Sequence, residues 1–539
     1  MKYLLPAIGI MLVAAALTVQ GHAQKQSNRQ MTPQAKLRFA EYAINNYYVD
    51  SVDENKLVED AIRGMLEKLD PHSAYTNKEE TQELTEPLDG NFSGIGIQFN
   101  MQKDTLYVIQ TISGGPSERV GIIPGDRIIS VNDTSIAGKK MRNTDIMKRL
   151  RGPKGTKVNV TVKRRGTPQP IEFRITRDDI PLYSIDASYM ADDETGYIRL
   201  SRFARSSYKE YVDAVAKLKK QGMKQLIIDL TDNGGGYLDI AAQLANEFLQ
   251  KDELIVYTEG RSQPRQEIHA TGSGNFKEGK VVFMVNQFSA SASEILSGAV
   301  QDWDRAVIVG RRTFGKGLVQ RPLPFGDGTM MRLTVARYYT PSGRCIQKPY
   351  TNGDRDDYDL DMLSRYKHGE FSNADSIHFA DSLRCYTLRN RRTVFGGGGI
   401  MPDVFVPIDT TEYSDYYRDL VAKGTLNQFV VQYVDRNRDS LKKSYADIDA
   451  FDSRFAVTDS LLGQLVTAGT RDSVKYNDKQ FRASRELLRT VVKALIARDI
   501  FDSSAYFRIA NRRNNIYREA LSLINDNRRY RTLLSPLVK

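Results

Sequence analysis

Ser291 lies in Ser289-Ala290-Ser291-Ala292-Ser293-Glu294, and Lys316, 25 positions further on, lies with Gln320 in Thr313-Phe314-Gly315-Lys316-Gly317-Leu318-Val319-Gln320. The two segments supply a hydroxyl, an amine and an amide, the parts of a hydrolase that needs no histidine. A hydroxyl attacks well only when an adjacent base takes its proton. A lysine is such a base only when neutral, which requires desolvation or a nearby positive charge. Gln320 can orient the amine without charging it, whereas a carboxylate at that position would favour the ammonium.

Each segment also has a plainer reading. Ser291 follows an apolar run and can cap the next helix, with Glu294 as the reciprocal capping residue. Lys316, between two glycines, can be a solvated lysine in a turn, and Gly310 to Lys316 lacks the spacing of a phosphate loop. The catalytic reading uses the same helix start: the Ala292 N–H, at the positive end, points where a tetrahedral oxyanion would form. A third segment, Leu230-Thr231-Asp232-Asn233-Gly234-Gly235-Gly236, is a turn that opens a helix or a second oxyanion donor through Gly235.

These residues need an alternating framework to hold them. Apolar strands are expected at Tyr197–Leu200, Leu226–Leu230, Val281–Val285 and Ala306–Val309, with helices at 207–221, 238–249 and after Ser291. Near-continuous apolar strands between helices predict an α/β domain with a covered sheet. Before it, residues 31–89 read as helical, with a break at Asp70-Pro71-His72-Ser73. Residues 90–178 change to short strands, tight turns such as Pro124-Gly125-Asp126-Arg127, and one helix at 144–150. Residues 346–392 interrupt the core as a polar insertion, a surface excursion or a functional flap, with a helix at 358–366. Residues 411–539 read as a helical support or protein-binding domain.

The 90–178 succession resembles a bacterial PDZ domain, whose glycine turn would cap a ligand's terminal carboxylate at Phe92, Ser93, Gly94, Ile95 and Gly96; a small structural β-domain is the alternative. Taken in order with the Asn-Gly-Gly turn, the serine and lysine segments, Tyr338-Tyr339-Thr340-Pro341-Ser342-Gly343-Arg344 and Gly399-Ile400-Met401-Pro402-Asp403, it is similar to the C-terminal processing peptidases (tail-specific proteases) of serine peptidase family S41. That resemblance implies Ser291 as nucleophile, Lys316 as general base and Gln320 as its orienting residue, with oxyanion amides at Ala292 and Gly235. It implies a crotonase/Clp-protease-like α/β peptidase core at 179–410 with an inserted PDZ domain and flanking helical regions. It also implies an endopeptidase that needs no cofactor, acts on proteins or peptides with free apolar C-termini, and processes or degrades exported proteins. The alternative is a catalytically inactive PDZ-containing scaffold of the cell envelope. The chain departs from the family pattern at Thr231, where arginine is usual, in the length of 346–392, and in the helical region at the C-terminal end.

Composition narrows the setting. Of 539 residues 40% are hydrophobic, enough for two to four packed domains. Lys2, an uncharged apolar run from Leu4 to Val19 and Gly21-His22-Ala23 read as a signal peptide over 1–23, cleaved after Ala23, with an uncleaved anchor as the alternative. The expected location is therefore the bacterial periplasm or the outer face of the inner membrane. The formal charge of +11 is spread among acids, and with an export signal it excludes nucleic acid as a partner in favour of protein substrates, an envelope adaptor or a second copy bound through the helical regions. The histidines show no metal-binding spacing, so no metal is expected. Cys345 and Cys385 either pair across the insertion or remain separate buried thiols.

Overall fold

The computed structural model describes residues 31–102, 104–112 and 114–536. The expected leader, 1–23, lies outside them. Among the described residues, 31–65 form a unit of their own, with the helix Pro33–Tyr47 and all but the last residue of the helix Glu54–Leu66. Among the described residues no helix is long and apolar enough to cross a membrane.

From Leu66 onward the centre is a six-stranded sheet in the order Ile185–Met190, Thr195–Leu200, Gln225–Asp229, Val281–Val285, Val307–Gly310 and Val404–Phe405. The first pair is antiparallel and the rest are parallel. Gln225–Asp229 and Val281–Val285 are buried at every residue, as strands covered on both faces must be. One face packs against the helices Ser207–Lys220, Leu238–Asn246 and Ala292–Asp302. The other takes Ile516, Tyr517, Ala520, Leu523 and Ile524 of Asn515–Asn525, and Tyr530 of the helix after it. The 411–539 region therefore does not act as one appendage. Residues from Tyr416 to Ile509 build a separate apolar core, and the last two helices close the sheet.

A second sheet went unread in the sequence. Its long strand Met330–Tyr339 pairs on one side with Leu318–Pro324, and also with Ala74–Thr76 and Leu254–Gly260, the last of which pairs with Gln263–His269. Its apolar and polar residues alternate irregularly, so neither period stands out in the sequence.

The segment at 90–178 forms a compact β-domain around Leu106, Val108, Ile128, Val160 and Val162. Its ingoing strand Asn91–Gly94 pairs antiparallel with its outgoing strand Asp178–Pro181. Its far side meets the helix Thr425–Ser444, where Arg127 contacts Asp435 at 3.5 Å. Cys345 and Cys385 are free thiols, and burial raises the pKa of both; the bridge across the insertion does not form.

Leu523 is fully buried against the sheet. Leu523→Ala is expected to lower the unfolding free energy by about 2–5 kcal/mol, read from urea melts. A change under about 0.5 kcal/mol would show that the terminal helices are dispensable cover.

Candidate active site

Ser291 occupies the turn into the fully buried helix Ala292–Asp302, at φ 57° and ψ −114°. That conformation costs a non-glycine residue about 1–3 kcal/mol and persists only when its surroundings enforce it. Here they do. The Ser291 N–H donates to the Glu294 carboxylate at 2.8 Å, and the Tyr338 hydroxyl reaches the Ser291 carbonyl at 3.1 Å. Behind the serine, the Ala290 N–H and the Ser293 hydroxyl both donate to the Asn233 carbonyl.

Glu294 does more than cap its helix. It also accepts from the Thr313 hydroxyl at 2.5 Å, the Gly315 N–H at 2.8 Å and the Lys316 N–H at 2.9 Å. Complete burial pushes its pKa up to about 7 while these four donors hold it down. All four present hydrogen to the carboxylate, which suits the ionised form. Tyr338 makes a second tie, its one proton shared between the carbonyls of Ser291 and Lys316.

Lys316 and Ser291 line one cleft of about 550 Å³, together with Gly235, Gln320, Arg332 and Tyr338. Burial, aided by the Arg332 charge, lowers the Lys316 pKa to about 8; Glu294 and Asp70 oppose the shift. Among the described residues no hydrogen bond joins the side chains of Ser291, Lys316 and Gln320. The Gln320 amide instead donates to Thr334 Oγ1 at 3.2 Å.

The Ala292 N–H has no acceptor among the described residues, as an oxyanion donor requires. The Gly235 N–H is taken by Asn233 Oδ1 at 2.9 Å, so in this arrangement it is not the free second donor expected. Glycine is nonetheless required there: φ is +105° and a Cβ would stand 2.8 Å from Ser291 Cβ. At Thr231, Arg199 of the adjacent strand donates to Thr231 Oγ1 at 2.7 Å and to Asp229 at 2.7 Å.

Two neighbours were not assigned to the site from sequence. His72, in the helix break, lies beside Lys316; burial and then the Lys316 charge push its pKa down to about 3, and its Nε2 meets the Tyr358 hydroxyl at 2.9 Å. Tyr358 belongs to the insertion, whose helix Arg355–Lys367 packs behind the lysine loop, and Lys348 lies 4.3 Å from the Phe314 ring centroid. The cue available in the sequence was three polar residues packed into one helix break.

In the β-domain, Ile97–Gln102 is an edge strand, open on one side to an added strand. The N–H groups of Ile95 and Gly96 before it have no acceptor among the described residues. The rest of the expected carboxylate loop differs from expectation. Phe92, Ser93 and Gly94 belong to the ladder with Asp178–Pro181, the Phe92 ring lies under Arg151, and the Ile95 side chain is in the core. Among the described residues no group of side chains could hold a metal ion.

Comparison with known proteins gives four matching families: peptidase family S41 over residues 194–356, PDZ domain over 93–175, the N-terminal domain of the activating protease CtpB over 11–80, and a family of unknown function over 416–502. The chain is 35% identical over 342 residues to a carboxy-terminal-processing protease of Bartonella bacilliformis, covering 62% of this chain and 78% of that one. It is 34% identical over 337 residues to the carboxy-terminal processing protease CtpB of Bacillus subtilis, covering 62% and 69%. It is 35% identical over 407 residues to a probable CtpA-like serine protease of Staphylococcus aureus strain N315, covering 72% and 80%.

Glu294→Gln tests the shared carboxylate. Either orientation of the amide turns its NH₂ toward two of the four donors. The expected cost is about 1–3 kcal/mol of stability with loss of hydrolysis, measured by thermal melts and turnover of an unfolded protein. Unchanged stability and activity would contradict the tie.

Proposed function

This chain belongs to the PDZ-containing C-terminal processing proteases of peptidase family S41, serine endopeptidases that recognise substrate C-termini through the PDZ domain, and we propose that Ser291 and Lys316 are its catalytic dyad. The observation that carries the assignment is a lysine with its pKa lowered to about 8 in the same cleft as a serine held in a strained turn. Neutral Lys316 takes the proton from Ser291 Oγ as the oxygen attacks the scissile carbonyl. The Ala292 N–H, at the positive end of its helix, receives the developing oxyanion. The lysine ammonium then protonates the leaving amine, and water, activated by the same lysine, releases the acyl group. Gln320 orients the amine once substrate draws Ser291 and Lys316 into contact.

The substrate's terminal carboxylate docks on the free N–H groups of Ile95 and Gly96, and its last residues add a strand to Ile97–Gln102. Phe92, Ser93 and Gly94 serve this loop as its anchored base. An apolar last residue is expected beside Ile95 and Gly96, because an unpaired charge buried there would be costly. We place the enzyme in the periplasm or on the outer face of the inner membrane, acting on exported proteins and needing no cofactor. The helical regions are its surface for an adaptor or a second copy. The 179–410 α/β core is of the crotonase/Clp-protease type in this reading, as the family resemblance implies. An inert scaffold would have no use for a desolvated lysine in the same cleft as a strained serine.

Ser291→Ala and Lys316→Ala are each expected to lower kcat by about 10⁴-fold or more with the fold intact. The wild-type kcat/KM should rise with pH through a midpoint near 8, because below it the ammonium has no lone pair to accept a proton. Full activity of Lys316→Ala, or an acidic optimum, refutes the dyad.

Amidating a substrate's C-terminus removes the carboxylate and is expected to weaken binding by about 10- to 100-fold, read by titration against the Ser291→Ala form. Equal affinity for free and amidated tails would dismiss the Ile95–Gly96 site.

A further inference from the structure

Gln320 and Thr334 face each other across the paired strands Leu318–Pro324 and Met330–Tyr339. The Gln320 Nε2 to Thr334 Oγ1 contact is 3.2 Å, and Thr334 Oγ1 is 2.8 Å from Asp70 Oδ1. Asp70 is locked in turn: it accepts from the backbone N–H groups of His72 and Ser73 and, at 2.6 Å, from the Ser73 hydroxyl. Ser73 Oγ accepts the Thr334 N–H at 3.1 Å, so the turn grips the threonine by both its amide and its hydroxyl.

The chemistry of these groups sets the direction of every proton. An ionised carboxylate only accepts, so the one Thr334 hydroxyl proton goes to Asp70. The threonine oxygen then has only lone pairs left for Gln320, and must receive the NH₂ side of that amide. Reversing the amide would take the proton from Asp70 and leave two oxygens facing each other at 2.8 Å. The Gln320 carbonyl oxygen is therefore turned away from Thr334, and Lys316, four residues back in the loop that leads into the strand, lines the same cleft.

We propose that Asp70 and Thr334 are positioning residues that fix the rotamer and amide orientation of Gln320, so that its carbonyl oxygen accepts an N–H of Lys316 and leaves the amine's lone pair for Ser291. This rests on the role given to Gln320 above. It assigns a task to the helix break Asp70-Pro71-His72-Ser73: the segment reaches the active site through a neighbouring strand and sets the base at one remove. Neither residue touches substrate in this scheme.

The test is a double-mutant cycle read as kcat and KM separately, on the alkaline plateau where Lys316 is neutral in every variant. Thr334→Val keeps the shape and removes the hydroxyl. It is expected to lower kcat about tenfold or more with KM and melting temperature unchanged, since small misplacements of a catalytic group cost up to about 10²-fold. Thr334→Ser should restore the rate. In a Gln320→Ala background Thr334→Val should add nothing, because the relay ends at the missing amide. If the valine variant folds poorly, Asp70→Asn carries the same test, with a loss of kcat that also vanishes in Gln320→Ala. Wild-type kcat in Thr334→Val, or an equal loss in both backgrounds, overturns the relay while leaving the glutamine's role standing. Wild-type kcat in Gln320→Ala itself refutes that role, and the relay with it.

Discussion

One carboxylate, that of Glu294, holds this active site together. It is fully buried, and it is the acceptor for the serine turn and for the lysine loop at once. Neither loop can shift without stranding a donor inside the protein, where an unmet hydrogen bond costs more than a made one contributes. Tyr338 repeats the constraint from the other side by offering its hydroxyl to a carbonyl from each loop. The stretch that follows it clamps the far end of the serine's helix. Arg344, fully buried, pairs with Asp302, and the Ser342 N–H donates to the same aspartate at 2.9 Å. A single run of chain from Tyr338 to Arg344 thus grips both ends of the helix that presents Ser291.

The electrostatics around Lys316 are a contest rather than a simple desolvation. Burial and Arg332 favour the free amine, while Glu294 and Asp70 favour the ammonium. Both carboxylates have other work, one tying loops and one holding Thr334, so their charge near the base is a consequence of the scaffold. Each accepts several hydrogen bonds, which favour its ionised form. The outcome is an amine whose pKa is lowered to about 8.

The parallel core was legible because its strands are continuously apolar: Val281–Val285 and Leu226–Ile228 admit few other readings. Ser291, Lys316 and Gln320 were legible as types at a spacing, and the structure brings all three to one cleft. The contacts around them were not. Glu294 read as a capping residue because its partner at Ser291 is three positions away, while those at 313–316 come from a different loop. Asp70 and Thr334 are 264 positions apart and meet only because a three-residue strand adds to a second sheet that no clean period announced. The Gly235 amide fails as a free donor for a local reason, the Asn233 side chain folding back on its own turn. The C-terminal helices carry good amphipathic faces, but an amphipathic face does not say which partner it covers. Two of them close the catalytic sheet while the others make a core of their own.

The ribbon formed by Asn91–Gly94 and Asp178–Pro181 has a consequence for how such proteins diversify. Chain departing from the scaffold and chain returning to it run side by side, separated by one ladder of backbone hydrogen bonds, about 4.8 Å. Whatever is spliced between those strands must begin and end at that spacing, and on its far side it must also fit the helix Thr425–Ser444, where Arg127 meets Asp435. The segment that selects clients is therefore held at its ribbon and at one outer contact, while the segment that cuts them is interlocked through Glu294 and Tyr338. Variation in what is destroyed is least constrained on the surfaces of that domain that face neither the ribbon nor the helix Thr425–Ser444.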